Sequence, residues 1–80
     1  MALLEVRHPQ HLAGEALQVA AVARLLGTEV ALQEDAAAPA LTLGGVTGLP
    51  AALATLAGPL DALQQATLLQ WLGFALSEVR

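Results

Sequence analysis

Three short stretches of the chain alternate between apolar and polar residues, and each predicts a β-strand. They are residues 2–7, 28–33 and 41–43. Alternation with a period of two is the pattern of a strand that buries one face. The glycine pair at 44–45 predicts a hairpin turn, after which Val46 begins a very short returning strand. A four-stranded sheet is therefore expected.

Residues 14–26 have the spacing of an amphipathic helix. Its stripe is made of Leu17, Ala20, Ala21, Arg24 and Leu25, and Val22 and Leu26 widen it. Gly27 follows directly, and glycine there can adopt the positive φ that ends many helices. A strand, this helix and a second strand within about 30 residues make a β-α-β unit, which is almost always right-handed.

Two more helices are predicted in the second half of the chain. Residues 49–57 carry leucines at helical spacing, and Pro59 ends that segment. Residues 61–79 form the longest helix, with Asp61 as its N-cap. Apolar residues surround most of its circumference, which is typical of a helix buried on most sides. An all-α bundle is the alternative, since Ala and Leu favour helix.

The composition is that of a small globular domain with little polar surface. The chain has 80 residues, which is enough for one domain. Hydrophobic residues make up 56% and charged residues 12%, against roughly 25% charged residues in an average protein. This hydrophobicity excludes intrinsic disorder. We therefore expect an apolar face that a partner covers.

Charge and cysteine content exclude further classes of function. Three arginines, no lysine and a net charge of −4 leave no positive patch for the phosphates of a nucleic acid. The absence of cysteine excludes thiolate chemistry and fits a reducing compartment. Residues 36–60 are uncharged, but their prolines and glycines interrupt any membrane-spanning helix. The first ten residues show no secretory signal, so a cytoplasmic protein is predicted.

Three short motifs follow one another in the second half of the chain. Residues 38–41 read A-P-A-L, residues 44–45 are G-G, and residues 71–74 read W-L-G-F. In this order, and with the predicted elements, they resemble the N-terminal half of glutathione S-transferase-like proteins. In that family a V-P-x-L segment opens a strand, a hairpin turn follows, and a W-[LI]-x-[FWY] segment lies where the helical second domain begins.

The resemblance implies an α/β fold with two parts. Residues 1–58 would form the thioredoxin-like N-terminal half of a transferase, with the element order β-α-β-β-β-α. Residues 59–80 would form a linker and the first helix of an all-α C-terminal domain. The family holds the proline of its V-P-x-L segment in the cis form, so Pro39 is expected to be a structural cis proline.

Within this superfamily the chain is most similar to the non-catalytic transferase-like domains of the multi-tRNA-synthetase complex. These include N-terminal domains of aminoacyl-tRNA synthetases and a small scaffold protein related to elongation factor 1 epsilon. That scaffold has L-T-G-L where residues 46–49 read V-T-G-L, and W-L-E-Y-R-V-T-Q-V where residues 71–79 read W-L-G-F-A-L-S-E-V. The similarity implies a scaffold whose partners are other transferase-like domains of the synthetases.

The final helix supplies the predicted contacts with partners. One helix can press only part of its circumference against a sheet, and apolar surface left in water forfeits stability. Leu69, Phe74 and Leu76 are therefore predicted to contact a partner or a second copy of the chain. Trp71 is predicted to be a structural anchor, buried near Leu56.

The residues that catalytic transferases use are missing. Those enzymes activate the glutathione thiol with a Tyr, Ser or Cys near the end of the first strand, whereas this chain has no Tyr or Cys and its only serine is Ser77. Gly48 and Leu49 stand where the family has its glutathione-binding Glu/Gln-Ser pair. No catalytic residue, enzyme activity or cofactor is predicted. The alternative is a divergent glutathione-dependent transferase that uses His8 or a backbone group.

His8 and His11 are the remaining candidates for chemistry. Two imidazoles three residues apart could bind a metal ion if Glu5 or Glu15 joined them. The interpretation we prefer is a pair of surface loop histidines, so no metal site is predicted.

Overall fold

The computed structural model describes the backbone of residues 3–79 and the side chains of residues 3–77. In order along the chain, the elements are β1 (Leu3–His8), a 3₁₀ turn (Gln10–Leu12), α1 (Ala13–Leu25), β2 (Glu29–Glu34), β3 (Leu41–Gly44), the one-turn helix α2 (Ala51–Ala54), β4 (Thr55–Leu56) and α3 (Ala62–Val79). This is a small mixed α/β domain, so the predicted α/β class is confirmed and the all-α alternative is wrong.

The four strands form one mixed sheet in the order β2-β1-β3-β4. β2 runs parallel to β1, with Val30 opposite Leu4. β3 runs antiparallel to β1, and β4 antiparallel to β3. α1 joins the two parallel strands, which confirms the predicted β-α-β unit.

One face of the sheet is buried beneath the two long helices. Leu4 and Val6 of β1 have no exposed surface, and Leu68 and Leu72 of α3 belong to the same core. α1 and α3 also contact each other. Both helices therefore lie in a single layer on that face of the sheet.

The other face of the sheet is open to solvent. Side chains on β1 alternate, so Glu5 and Arg7 point away from the helices and are exposed. Thr42 lies beside Arg7 in the register of β3 and is also exposed. A sheet with antiparallel strands is stable with one wet face when that face is polar.

Both long helices begin or end with a cap that the sequence predicts. After α1, Gly27 has φ +81° and its N–H donates to the Arg24 carbonyl, while the Thr28 N–H donates to the Ala23 carbonyl. These two bonds form a Schellman motif. Before α3, the Gln64 N–H donates to Oδ1 of Asp61 at 2.7 Å, and the Asp61 N–H donates to Oε1 of Gln64 at 3.1 Å. This reciprocal pair is a capping box.

The face of α1 that meets the sheet differs in part from the predicted stripe, of which Ala20 is buried and Val22 and Leu26 pack against the core. Ala16, Val19, Ala20 and Ala23 are buried, whereas Leu17 and Leu25 are 59% and 82% exposed. Apolar residues surround this helix, so periodicity alone does not identify the buried face. Alanine side chains let the helix backbone lie close to the sheet, and leucines in the same places would hold it away.

Residues 45–56 also differ from the prediction of a tight hairpin at Val46 and a helix over residues 49–57. Val46 lies in a loop, the helix is a single turn, and Leu56 pairs with Leu41 as part of β4. A short apolar run fits a strand as well as a helix. The strand is favoured over a longer helix here because it places Leu56 in the core, where this side chain is 3% exposed.

The peptide bond before Pro39 is trans, since the described residues contain no cis peptide bond. The prediction of a cis proline is therefore wrong. The loop is closed by Asp35 instead, whose Oδ1 accepts the Ala37 N–H at 3.0 Å and whose carbonyl accepts the Ala38 N–H at 3.1 Å. The trans form is intrinsically preferred by about 0.5–1 kcal/mol, and this loop closes without the other isomer.

Candidate functional site

A cleft of about 420 Å³ opens at the carboxyl ends of β1 and β2. Ligands of open α/β sheets commonly bind at this edge. Its lining comes from the turn after β1 and the loop after β2, and consists of Pro9, Gln10, His11, Ala36 and Ala38. None of these five side chains is a nucleophilic hydroxyl, a thiol or a carboxylate.

His8 stands beside this cleft as a structural residue. It is 8% exposed, and its Nδ1 donates to the Pro9 carbonyl at 3.0 Å. Its own carbonyl accepts the Asp35 N–H at 2.8 Å. His8 therefore ties the two loops of the cleft together, and the prediction that it is a surface histidine is wrong, whereas His11 is exposed as predicted.

A metal site at these histidines was the alternative. Among the residues that the structure describes, no three His, Asp or Glu side chains form a cluster that could hold a metal ion, so this alternative has no support there. The strand itself explains this for Glu5. Successive side chains on β1 point to opposite faces, so Glu5 lies on the open face and His8 on the buried one.

The hydroxyl groups of α3 are used within the helix. Oγ of Ser77 donates to the Gly73 carbonyl at 3.0 Å, and Oγ1 of Thr67 donates to the Leu63 carbonyl at 2.8 Å. Neither residue lines the cleft. A second, smaller cavity of about 200 Å³ lies on the open face of the sheet, between Glu5, Arg7, Thr42 and Gly44.

Trp71 packs against the core and is half-buried. Its Nε1 donates to the Gly48 carbonyl at 2.8 Å. The indole therefore connects α3 to the loop between β3 and β4, in which Gly48 and Leu49 lie. The carbonyl group of Gly48 thus holds the indole of Trp71 in place.

The three predicted contact residues of α3 do not form one patch. An α-helix turns about 100° per residue, which places Phe74 about 60° from Trp71 around the axis, and Leu69 and Leu76 about 160° and 140° from it. Phe74 is therefore on the flank beside loop 45–50 and is 66% exposed. Leu69 and Leu76 occupy the opposite flank, and Leu76 is half-buried.

Leu63 is a second exposed apolar residue on the flank of Phe74, and the exposed Thr67 and Gln70 lie between the two on that flank. Leu63 is 75% exposed and lies only about 20° from Phe74 around the helix axis, three turns earlier. Leu63 and Phe74 together define what we call the α3 stripe. The sequence shows Leu63 as an apolar residue of the helix, but only the core-facing positions Leu68 and Leu72 reveal which flank remains outside.

No helix in the described residues is long and apolar enough to span a lipid bilayer. Comparisons of the chain with protein-family models, with curated proteins and with solved structures found no match.

Proposed function

We propose that this domain is a non-catalytic protein-interaction module that binds its partner through the α3 stripe. The observation that carries the proposal is the exposure of Leu63 and Phe74, 75% and 66%. Apolar surface contributes about 25 cal/mol per Å² when it leaves water. Aromatic residues are enriched among the side chains that dominate binding energy at protein interfaces.

The element order supports a thioredoxin-like arrangement of the transferase type. If α2 is taken as part of the β3–β4 connection, the chain runs β-α-β-β-β-α, which is the order that the resemblance implies for a transferase N-terminal half. In this assignment α3 closes that unit, since Leu68 and Leu72 share its core. The assignment of residues 59–80 to a second domain is then unnecessary.

The chemistry of the cleft favours binding over catalysis. No carboxylate, hydroxyl or thiol lines it, and His11 is its one ionisable side chain. Gly48 and Leu49 cannot supply the carboxylate and hydroxyl of the family's glutathione site. The divergent transferase is therefore the weaker of the two functions.

The partners that we propose are transferase-like domains of aminoacyl-tRNA synthetases, as the sequence resemblance implies. The test is titration calorimetry of the chain against purified domains of this class. We expect Phe74→Glu to weaken binding at least 10-fold, because it places a charge in an apolar contact, and Gln18→Glu on the exposed side of α1 to change it less than 2-fold. Binding that Phe74→Glu leaves unchanged would overturn the α3 stripe as the contact, and no binding at 100 μM would overturn the partner class.

A second assay separates the module from the enzyme. The chain is passed over immobilised glutathione and then assayed for conjugation of a thiol to an electrophilic substrate. We expect neither retention nor turnover. Retention together with turnover would overturn the non-catalytic proposal.

A further inference from the structure

We infer that two copies of this chain associate edge to edge through β2, forming one continuous sheet of eight strands. β2 lies at the outer edge of the sheet and is paired on one side only. It is six residues long, whereas β4 at the other edge has two. An unpaired strand edge is a template for another strand, and β2 is the edge long enough to serve. This inference is independent of the α3 stripe.

The apolar layer of the domain is unfinished at this edge. Val30 and Leu32 lie beside Leu4 and Val6 on the helix-covered face. Leu4 and Val6 have no exposed surface, but Val30 is half-buried and Leu32 is 36% exposed. The core is therefore incomplete at β2, the edge strand, where the side chains of Val30 and Leu32 are partly exposed to solvent.

α1 presents apolar side chains above the same edge. Val22 and Leu26 lie on the flank of α1 that packs against the rest of the core. Leu17 and Ala21 are about 140° and 100° from Val22 around the helix axis, and both are exposed. In the dimer that we infer, this second flank lies over the free side of β2, which α1 covers together with β1.

The sequence of β2 is complementary to itself in one antiparallel register. With a two-fold axis at Ala31, Val30 of each copy lies opposite Leu32 of the other, and Glu29 lies opposite Gln33. Cross-strand apolar pairs stabilise a sheet, and like charges directly opposite one another destabilise it. This register keeps both helical layers on the same face, so that the flank of α1 that carries Leu17 meets its counterpart above the new pair of strands.

The neighbouring registers are worse. A shift of one residue places Glu29 opposite Glu34 and puts the helical layers on opposite faces, because a one-residue slip exchanges the faces of a strand. An axis at Leu32 places Val30 opposite Glu34 and Glu29 opposite Asp35. The two ends of β2 are acidic, and the register centred on Ala31 keeps these ends apart while pairing residues 29–33 of the strand. An axis at Val30 also keeps them apart, but it pairs only residues 29–31 and leaves Leu32 opposite Thr28.

The lengths of β2 and α1 and the surface area of the chain suit a dimer of moderate affinity. β2 and α1 are each about 20 Å long, so strand and helix present edges of equal length. A standard interface covers about 800 Å² on each partner, which is about a sixth of the 4779 Å² surface of the chain. Each copy carries a net charge of −4, so added salt should strengthen the association by screening repulsion.

The first test is sedimentation velocity of the full chain from 1 to 200 μM, without any partner protein. We expect a reversible dimer whose dissociation constant rises at least 10-fold in Leu17→Lys and less than 2-fold in Ala66→Lys, an exposed position on α3. Leu17 is exposed in the single copy, so its replacement leaves the fold intact. A monomer throughout, or a dimer that Leu17→Lys leaves unchanged, would overturn the inference. Neither outcome bears on binding through the α3 stripe.

The second test measures the register. The chain has no cysteine, so a single cysteine can form a disulfide only between copies. Ala31→Cys places the two thiols directly opposite, where Cβ atoms are about 4.5–5.5 Å apart. The control Gln33→Cys, on the same exposed face, separates them by about 13 Å along the strands. Mild oxidation should cross-link Ala31→Cys at least 10-fold faster, and equal rates would overturn the register.

Discussion

Nε1 of Trp71 donates a hydrogen bond to the carbonyl oxygen of Gly48 at 2.8 Å. Gly48 lies in the loop between β3 and β4, so this bond fixes the loop to α3. Val46 and Leu49 of the same loop pack against the core. The hydrogen bond of Trp71 and the apolar contacts of Val46 and Leu49 thus hold this loop in place, although it has no regular secondary structure.

Replacing Trp71 should separate the hydrogen bond from the packing of the ring. Trp71→Phe removes the donor and should lower the free energy of unfolding by about 1 kcal/mol. Trp71→Ala also removes the packing and should cost about 3 kcal/mol, the low end for an aromatic residue, because the indole is half-buried. Urea unfolding measures both. Phe74→Ala is the control and should stay within about 0.5 kcal/mol, and an unchanged stability of Trp71→Ala would show that the indole is no anchor.

Thr28→Val should stabilise the protein. Thr28 is 3% exposed, and its Oγ1 is buried without a hydrogen-bond partner among the residues that the structure describes. An unsatisfied buried hydroxyl costs about 1–3 kcal/mol, and valine has nearly the same shape. We expect a gain of about 1 kcal/mol in thermal or urea unfolding. Thr55→Val, at an exposed position of β4, is the control. A loss of stability in Thr28→Val would contradict the conclusion that the Thr28 hydroxyl has no hydrogen-bond partner among the described residues.

Two glycine-to-alanine substitutions should have opposite signs. Gly45 has φ +86°, and a Cβ there would lie 2.7 Å from the Leu3 carbonyl oxygen, so Gly45→Ala should destabilise by more than about 1 kcal/mol. Gly14 is in α1, with nothing within 4 Å of its Cβ position. Gly14→Ala should stabilise by about 0.5–1 kcal/mol because alanine favours helix. Thermal unfolding of the two variants, measured in parallel, provides the test, and equal changes of stability in both would refute this account.

The contribution of the N-cap of α3 to the stability of the protein should be measurable by substituting Asp61 alone. Asp61→Ala removes the acceptor that the Gln64 N–H uses and should cost about 1 kcal/mol. Asp61→Asn keeps an acceptor oxygen and should cost less than half as much. Chemical denaturation compares the two variants, and an equal loss in both would mean that the charge rather than the hydrogen bond carries the effect.

Local rules account for the parts of the fold that the sequence predicts. β1, β2 and β3 follow from alternation, and Gly27 and Asp61 mark helix ends because the relevant bonds join residues three to five positions apart. The segment at residues 45–56 does not obey local rules. There the pairing of Leu56 with Leu41 decides between strand and helix, and no short window contains both residues.

The candidate site could be predicted only in part, for the same reason. The sequence identifies α3 as the helix with more apolar residues than one face can bury. It does not indicate that Phe74 and Leu69 lie on different flanks, because that depends on where α3 rests on the sheet. The buried face of α1 is decided in the same way, by close packing of small side chains such as Ala16 and Ala20.

The place of α3 in the core has a consequence for synthesis of the protein. β1 is made before the other strands and lies inside the sheet, yet Leu4 and Val6 share a core with Leu68 and Leu72 of α3, which are made after all four strands. Domains generally fold as units during translation. The nascent chain therefore leaves part of the apolar face of β1 exposed until about residue 72 has left the ribosome, and the domain completes its fold only then.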